Sequence, residues 1–372
     1  MVFDPKLQPA YHRATKTYNL WKGFATKPIK GNCVLFLDHV KNVMCNRDQL
    51  LYEHVMAFFA QVIQDPGNIM GTALVFRSTE EGTGKSWMVK RIGELLDGPP
   101  RADRFAALYF SSSNPKRIYG NFNDPLATAL LVHSEEAVPA SHHGYENDQN
   151  ELITGSFLRI NAKYLNLRSI VNYVRLVITG NSDWIVPTSI YARRYTVSDV
   201  NEEYRNDNAY FGALDYEWNH GGKEALMYEL AHYPWPNYNL RLRHNTGALM
   251  TQKIASLSEK GEYVLDWWFH FCAKGEAPYS KRESDGSIRV SNNDLYVNYS
   301  IYARKMKHAK VLSEDSFGTK LRDLVPKLDK NGKTIKNTNG KGVVSLIEAC
   351  KVPNPNKDFD EGFRSMERLY RV

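Results

Sequence analysis

Residues 74–86 read LVFRSTEEGTGKS: a short apolar run, a turn holding two glycines, then Lys85 and Ser86 opening a stretch of helical spacing. Residues of these types in this order can cradle a triphosphate. Gly82 and Gly84, with Thr83 between them, let backbone N–H groups turn inward toward phosphate oxygens. Lys85 offers a point charge to the outer phosphates, and the Ser86 hydroxyl can ligate Mg²⁺. The following WMVKRIGELL would aim the positive end of its helix dipole at the same anion. An ordinary glycine-rich loop is the plainer alternative. The full pattern also wants a glycine where this chain has Thr79. If that position requires positive φ, nucleotide affinity falls, because threonine avoids that region.

Hydrolysis needs an acid, a water-orienting group and a cation besides the cradle. The run ALLVHSEEA ends in Glu135 and Glu136, where one acid can hold Mg²⁺ through a water and the other can polarise the attacking water. Two adjacent acids also begin many exposed helices. The run VRLVITGNSDWIVP ends at Thr179 and Asn181, and that amide suits either a γ-phosphate sensor or a simple strand-ending turn. Arg193 and Arg194 follow, suited to transition-state phosphoryl oxygens, or to a surface ion pair. Their place after a strand–loop unit puts them far from their own cradle and favours reaching a neighbouring subunit. Between acids and amide, FLRINAKYLNLRSIV carries Arg159, Lys163 and Arg168 in alternation with apolar residues, as in a hairpin or loop facing nucleic acid.

These side chains need strands to carry them. TALVF (72–76), TALLVHS (128–134) and VRLVITG (174–180) are β-rich, and each is followed by polar residues, as at the carboxyl ends of a parallel α/β sheet. Ahead of them, DQLLYEHVMAFFAQVIQ places Leu51, Val55, Phe58, Phe59 and Val62 at helical spacing, and DPG ends it. Residues 222–260 read mostly helical, broken by PWP, and VLDWWFHF reads as buried core. The polar stretch GEAPYSKRESDGSIRVS reads as a linker or exposed loop. After it, Ser291 caps a helix with Leu295, Tyr299 and Tyr302 on one side, SEDSFGTKLRDLV gives a second, and two Asn-Gly turns follow. Helix, helix, hairpin is the order of a winged helix, with Lys333 and Lys336 on its wing.

Charge sharpens that last point. The net charge is +7, and residues 301–342 hold 11 Lys/Arg against 4 Asp/Glu, which matches that whole excess. Such a segment points to a polyanion, most simply nucleic acid, or else to a solvated surface. With 372 residues, 42% hydrophobic and 24% charged, the chain fits a soluble globular protein of two or three domains. No apolar run approaches the ~18 residues of a membrane span, and MVFDPKLQPAYHR lacks a secretory core. Cys33, Cys45, Cys272 and Cys350 form no CxxC pair, so a reducing cytoplasm fits better than disulfides or zinc.

The order of phosphate loop, paired acids, basic hairpin, Asn-tipped strand and Arg pair resembles the superfamily 3 helicases, AAA+ motors of small viruses and phages. YNLWKGFATKP, GNFNDPLATALLVHSEEA, LRINAKY, ITGNSDWIVP, ARRY, YFGAL and GGKEAL are similar to the helicase part of phage and plasmid primase–helicases. The resemblance implies an α/β fold: a helical segment at 1–68, an AAA+ core with parallel sheet at 69–245, and a helical linker plus basic winged-helix-like domain at 246–372. It implies ATP and Mg²⁺ at Gly82, Thr83, Gly84, Lys85 and Ser86, with Ser86 and Glu135 on the metal. Glu135 replaces the more usual Asp, and Glu136 would be the base. Asn181 would be the sensor and Arg193 or Arg194 the trans-acting finger. Lys163 and Arg159 would meet single-stranded or forked DNA inside a ring, a hexamer, in host cytoplasm. A primase or polymerase module commonly precedes such a helicase, and VFDP at 2–5 leaves no room for one, so a fragment or a stand-alone helicase is expected. The alternative is a DNA-binding initiator or scaffold whose ATP site serves assembly with little hydrolysis.

Overall fold

The computed structural model describes residues 1–7, 11–12, 15–98, 106–120, 122–135, 145–164, 166–182, 185–186, 194–241, 246, 248–249, 252, 267, 281–282, 288–290, 292–305, 311–318 and 344–345. The chain divides into two compact units, Met1–Gln252 and Lys253–Val372.

In the first unit, a short helix α1 (Val34–Asp38) runs into a π-helical turn (His39–Met44) and then α2 (Gln49–Gln64). The Asp48 side chain caps α2 by accepting from Leu51 N, and Asp65-Pro66 ends it. Five parallel strands follow: β1 (Ala73–Arg77), β2 (Tyr109–Ser112), β3 (Leu131–Glu135), then β6 (Arg175–Gly180) and β7 (Tyr195–Asp199). Their spatial order is β2-β3-β6-β1-β7. Helix α3 (Lys85–Asp97) leaves β1, and α4 (Glu146–Thr154) leads into a two-stranded hairpin of β4 (Phe157–Ile160) and β5 (Arg168–Val171). Helices α5 (Asn208–Glu217) and α6 (Lys223–His232) come after β7.

Strand alternation splits the core. Leu74, Phe76, Leu131 and Val177 pack with α2, α3 and α6 on one face of the sheet. Ala73, Val75, Val132, Leu176 and Ile178 pack with α4 and the buried side of the hairpin on the other. Both faces are covered, as an all-parallel sheet requires, so its strands read as continuous apolar runs. Arg175 is the exception inside this core. Its guanidinium donates to Gln61 Oε1 (3.0 and 3.1 Å), Asp65 O (2.6 Å), Pro66 O (2.8 Å) and Tyr173 O (2.7 Å). It thereby fastens the end of α2 to the start of β6, and burial pulls its pKa down to about 9.

In the second unit, α7 (Asn292–Lys305) buries Leu295, Tyr299 and Ala303. Tyr299 and Phe317 pack against Trp267, whose indole N–H donates to Asn298 Oδ1 at 2.8 Å. Trp267 is thus core, as its sequence context predicts. The expected linker at 275–291 is corrected in part, because Lys281–Arg282 and Ile288–Val290 pair as antiparallel strands. A third strand, Val344–Ser345, joins them. Lys333 and Lys336 on the expected wing lie outside the described residues.

Candidate nucleotide site

The sheet order places the carboxyl ends of β3, β6 and β1 side by side, so their terminal polar residues share one edge. There the chain after β1 turns back on itself. Gly82 has φ +78°, and a Cβ on it would sit 1.9 Å from Asn206 Oδ1. Gly84 has φ +88°, and a Cβ there would stand 2.7 Å from the His39 ring and 2.8 Å from that of Phe211. Both positions need glycine for backbone sign and for room. Thr79 lies outside the left-handed region, so the expected strain at this departure does not arise.

Lys85, on the first turn of α3, is buried. Its ammonium donates to Asn181 Oδ1 (2.7 Å), Thr83 Oγ1 (3.1 Å) and Glu80 O (3.3 Å), and to Ser78 Oγ. Burial lowers its pKa from 10.5 to about 8, against the opposing charges of Glu202 and Glu81. Lys85 and the Asn-tipped strand, 96 residues apart in sequence, are therefore in direct contact.

A second line of contacts crosses beneath the loop. Ser86 Oγ lies 3.4 Å from Thr179 Oγ1, which lies 2.9 Å from His133 Nε2. His133 Nδ1 in turn lies 3.0 Å from Tyr109 Oη. Burial pushes the His133 pKa down to about 3, so the ring is neutral and one nitrogen donates while the other accepts. Glu135 ends β3 just above, 2.9 Å from Lys90 Nζ on the next turn of α3. Burial alone would raise its pKa, but the Lys90 hydrogen bond and charge, with a hydrogen bond from Ser111, hold it below the usual range. Ser86 and Glu135 are oxygen donors at this edge whose chemistry would suit a divalent cation. Glu136 and Arg193 lie outside the described residues. Arg194 is not part of this cluster: its carbonyl accepts from Ala73 N at the opposite end of β1, four residues and about 13 Å from Arg77. Its Nε is buried without a partner among the described residues.

Two features of the site have no signature in the sequence. Glu202 Oε1, in the loop after β7, accepts from Thr79 N (3.0 Å), Thr79 Oγ1 (2.7 Å) and Glu80 N (3.2 Å). The same loop pairs Arg205 with Glu80 at 2.8 Å and gives Asn206 N to Gly82 O at 3.0 Å. From the other side His39, on the π-helical turn, faces the Gly84 backbone and meets Tyr210 Oη at 3.0 Å. Burial lowers its pKa to about 4. Tyr210 stacks on Tyr204 with ring centroids 4.0 Å apart.

The expected nucleic-acid residues stand elsewhere in this unit. Arg159 is exposed on β4 and Lys163 is exposed in the connection to β5. Asn123 braces that hairpin, donating to Arg159 O at 3.0 Å and accepting from Asn161 N at 2.9 Å.

A family model described as a family of unknown function (DUF5906) matches residues 76–194, the span from the end of β1 through Arg194. Among solved structures, the apo structure of the NrS-1 C-terminal region is similar at 15% identity and a TM-score of 0.64, covering 92% of this chain and 83% of that one. An A-form apo structure of the same region is similar at 16% identity and a TM-score of 0.59, covering 89% and 82%. JCV helicase, bound to a small molecule, matches at 13% identity and a TM-score of 0.34, covering 65% and 64%, too low to bear on the fold. No curated protein matches. The α/β fold is thus shared with the NrS-1 C-terminal region.

Proposed function

We propose that this chain is an ATP-driven DNA helicase or translocase of the superfamily 3 kind, acting as a ring of copies, a hexamer, in phage-type DNA replication. The observation that carries this reading is the meeting of Lys85, Ser86, Glu135 and Asn181 at the carboxyl edge of one parallel sheet. The order of motifs along the chain and the fold shared with the NrS-1 C-terminal region support it.

In this reading Lys85 exchanges its present oxygen partners for the outer phosphates of ATP. Ser86 and Glu135 would hold Mg²⁺, Glu135 after parting from Lys90. Bound there, Mg²⁺ would neutralise charge between the outer phosphates. Glu136 takes the proton of the attacking water and Asn181 orients it. Arg193 or Arg194 serves the site of a neighbouring copy, Arg194 standing at the far end of β1 from its own loop. Arg159 and Lys163 contact single-stranded or forked DNA, with Lys333 and Lys336 adding phosphate contacts. A primase or polymerase module is the fitting partner, in a host cytoplasm.

Steady-state ATP hydrolysis measured with and without single-stranded DNA, beside Lys85→Ala, tests this. DNA-stimulated turnover lost in the variant is the expected result, and turnover that survives it overturns the proposal. The Lys90–Glu135 ion pair favours one other reading, an initiator or scaffold whose ATP site serves assembly with negligible hydrolysis. Steady turnover lost in Glu136→Gln excludes it.

A further inference from the structure

The hairpin bears more than cations. Residues 157–171 contain Arg159, Lys163 and Arg168 and no Asp or Glu, and none of the three pairs with an acid among the described residues. Interleaved with them are exposed rings. Tyr164, in the connection between β4 and β5, is 91% exposed, and Phe157 on β4 is 59% exposed opposite Val171. Along β4 the buried Leu158 and Ile160 alternate with the exposed Phe157 and Arg159, so the outward face carries an aromatic and a cation.

The backbone adds a second, independent observation. Tyr164 has φ +64°, and Phe122, 54% exposed and adjacent to the bracing Asn123, has φ +66°. Bulky side chains avoid this region, and a solvated turn would normally place Gly, Asn or Asp there. Here two aromatic rings are held strained and uncovered, one at the hairpin and one beside the residue that clamps it. Strain of this kind collects where a side chain must be presented to a ligand. Lys163 Nζ stands 5.1 Å from the Tyr164 ring centroid, which brings a phosphate-seeking charge and a flat apolar face together.

We infer that this surface grips single-stranded nucleic acid by stacking unpaired bases on Tyr164, with Phe157 and Phe122 as further exposed rings on or next to the hairpin, while Lys163, Arg159 and Arg168 hold the phosphates. The inference rests on the nucleic-acid reading above and deepens it: bases stacked within a duplex leave no face for Tyr164, so the surface selects single strands. Stacking and phosphate contacts separate cleanly by salt, because only the latter release counterions.

The test uses the full chain and a fluorescent oligo(dT), with affinity read by anisotropy across a salt series. Tyr164→Ala should bind roughly tenfold more weakly with an unchanged salt slope, and Tyr164→Phe should bind like the parent. Lys163→Ala should instead reduce the slope by about one. A duplex of equal length should be indifferent to Tyr164→Ala. Wild-type affinity in Tyr164→Ala, or a slope change like that of Lys163→Ala, overturns the stacking inference while leaving the nucleic-acid reading intact. A parent chain that hydrolyses ATP through Lys85 yet does not bind oligo(dT) overturns both. Because Tyr164 is 91% exposed, an unchanged thermal melt will show that each variant is folded.

Discussion

Thr79 replaces a glycine of the phosphate-loop pattern, and the structure answers with Glu202. Glycine there would offer one backbone donor, whereas threonine adds a hydroxyl, and the carboxylate takes both along with Glu80 N. The Thr79 hydroxyl, first among these contacts, and the two backbone N–H groups hold the Glu202 pKa below its ordinary value. Glu202 is therefore a positioning residue: it fixes the turn that sets the direction of the next loop N–H groups. Glu202→Ala should raise the Kd for ATP about tenfold, the loss of several hydrogen bonds to one charged acceptor. Thr79→Gly should cost less, since both backbone donors remain, and a fluorescent ATP analogue can measure both. Equal affinity in Glu202→Ala would reduce the contact to surface decoration. Spacing in the chain announces Lys85, Ser86, Glu135 and Asn181, because each follows an apolar run. Nothing announces Glu202 or His39, whose roles exist only once loops more than a hundred and about forty residues distant fold back onto the same turn.

At the scale of elements, a strand is legible when both its faces are buried. β1, β3 and β6 are the runs TALVF, TALLVHS and VRLVITG, apolar throughout because the sheet is covered on both sides. β2 (YFSS) is an edge strand with three of its four residues only half buried, and β7 (YTVSD) carries polar side chains into the core. Neither leaves an apolar signature, so the sequence reading stops at three strands. The hairpin is half legible, its alternation clear and its tip silent. Arg175 shows how these elements are joined. It enters a core strand as a charge, yet its partners are neutral oxygens at the end of α2. Arg175→Met would strand these oxygens in the interior, with a cost of about 3 kcal/mol or more in urea-induced unfolding. A change under about 1 kcal/mol would mean that water replaces the guanidinium.

Across the whole molecule the two units differ in charge. The first carries the candidate catalytic groups, and the excess of Lys and Arg at 301–342 lies in the second. If that excess serves nucleic acid, replacing Lys333 and Lys336 together by alanine should lower the salt slope of DNA binding by about two and leave the intrinsic ATP turnover unchanged. An unchanged slope would turn the segment toward docking another protein. The helix face in this unit is legible through Leu295 and Tyr299, while the short strands Lys281–Arg282 and Ile288–Val290 are hidden by their charged residues. Finally, β7 is hydrogen-bonded to β1 along its entire length, from Tyr195 beside Ala73 to Asp199 beside Arg77. Arg194 stands just before it and Glu202 shortly after it, at opposite edges of the sheet. In the ring proposed above, a pull on Arg194 by an adjoining copy would be carried along this strand to the Thr79 turn, so that one copy's nucleotide state would be felt mechanically at the next copy's cradle.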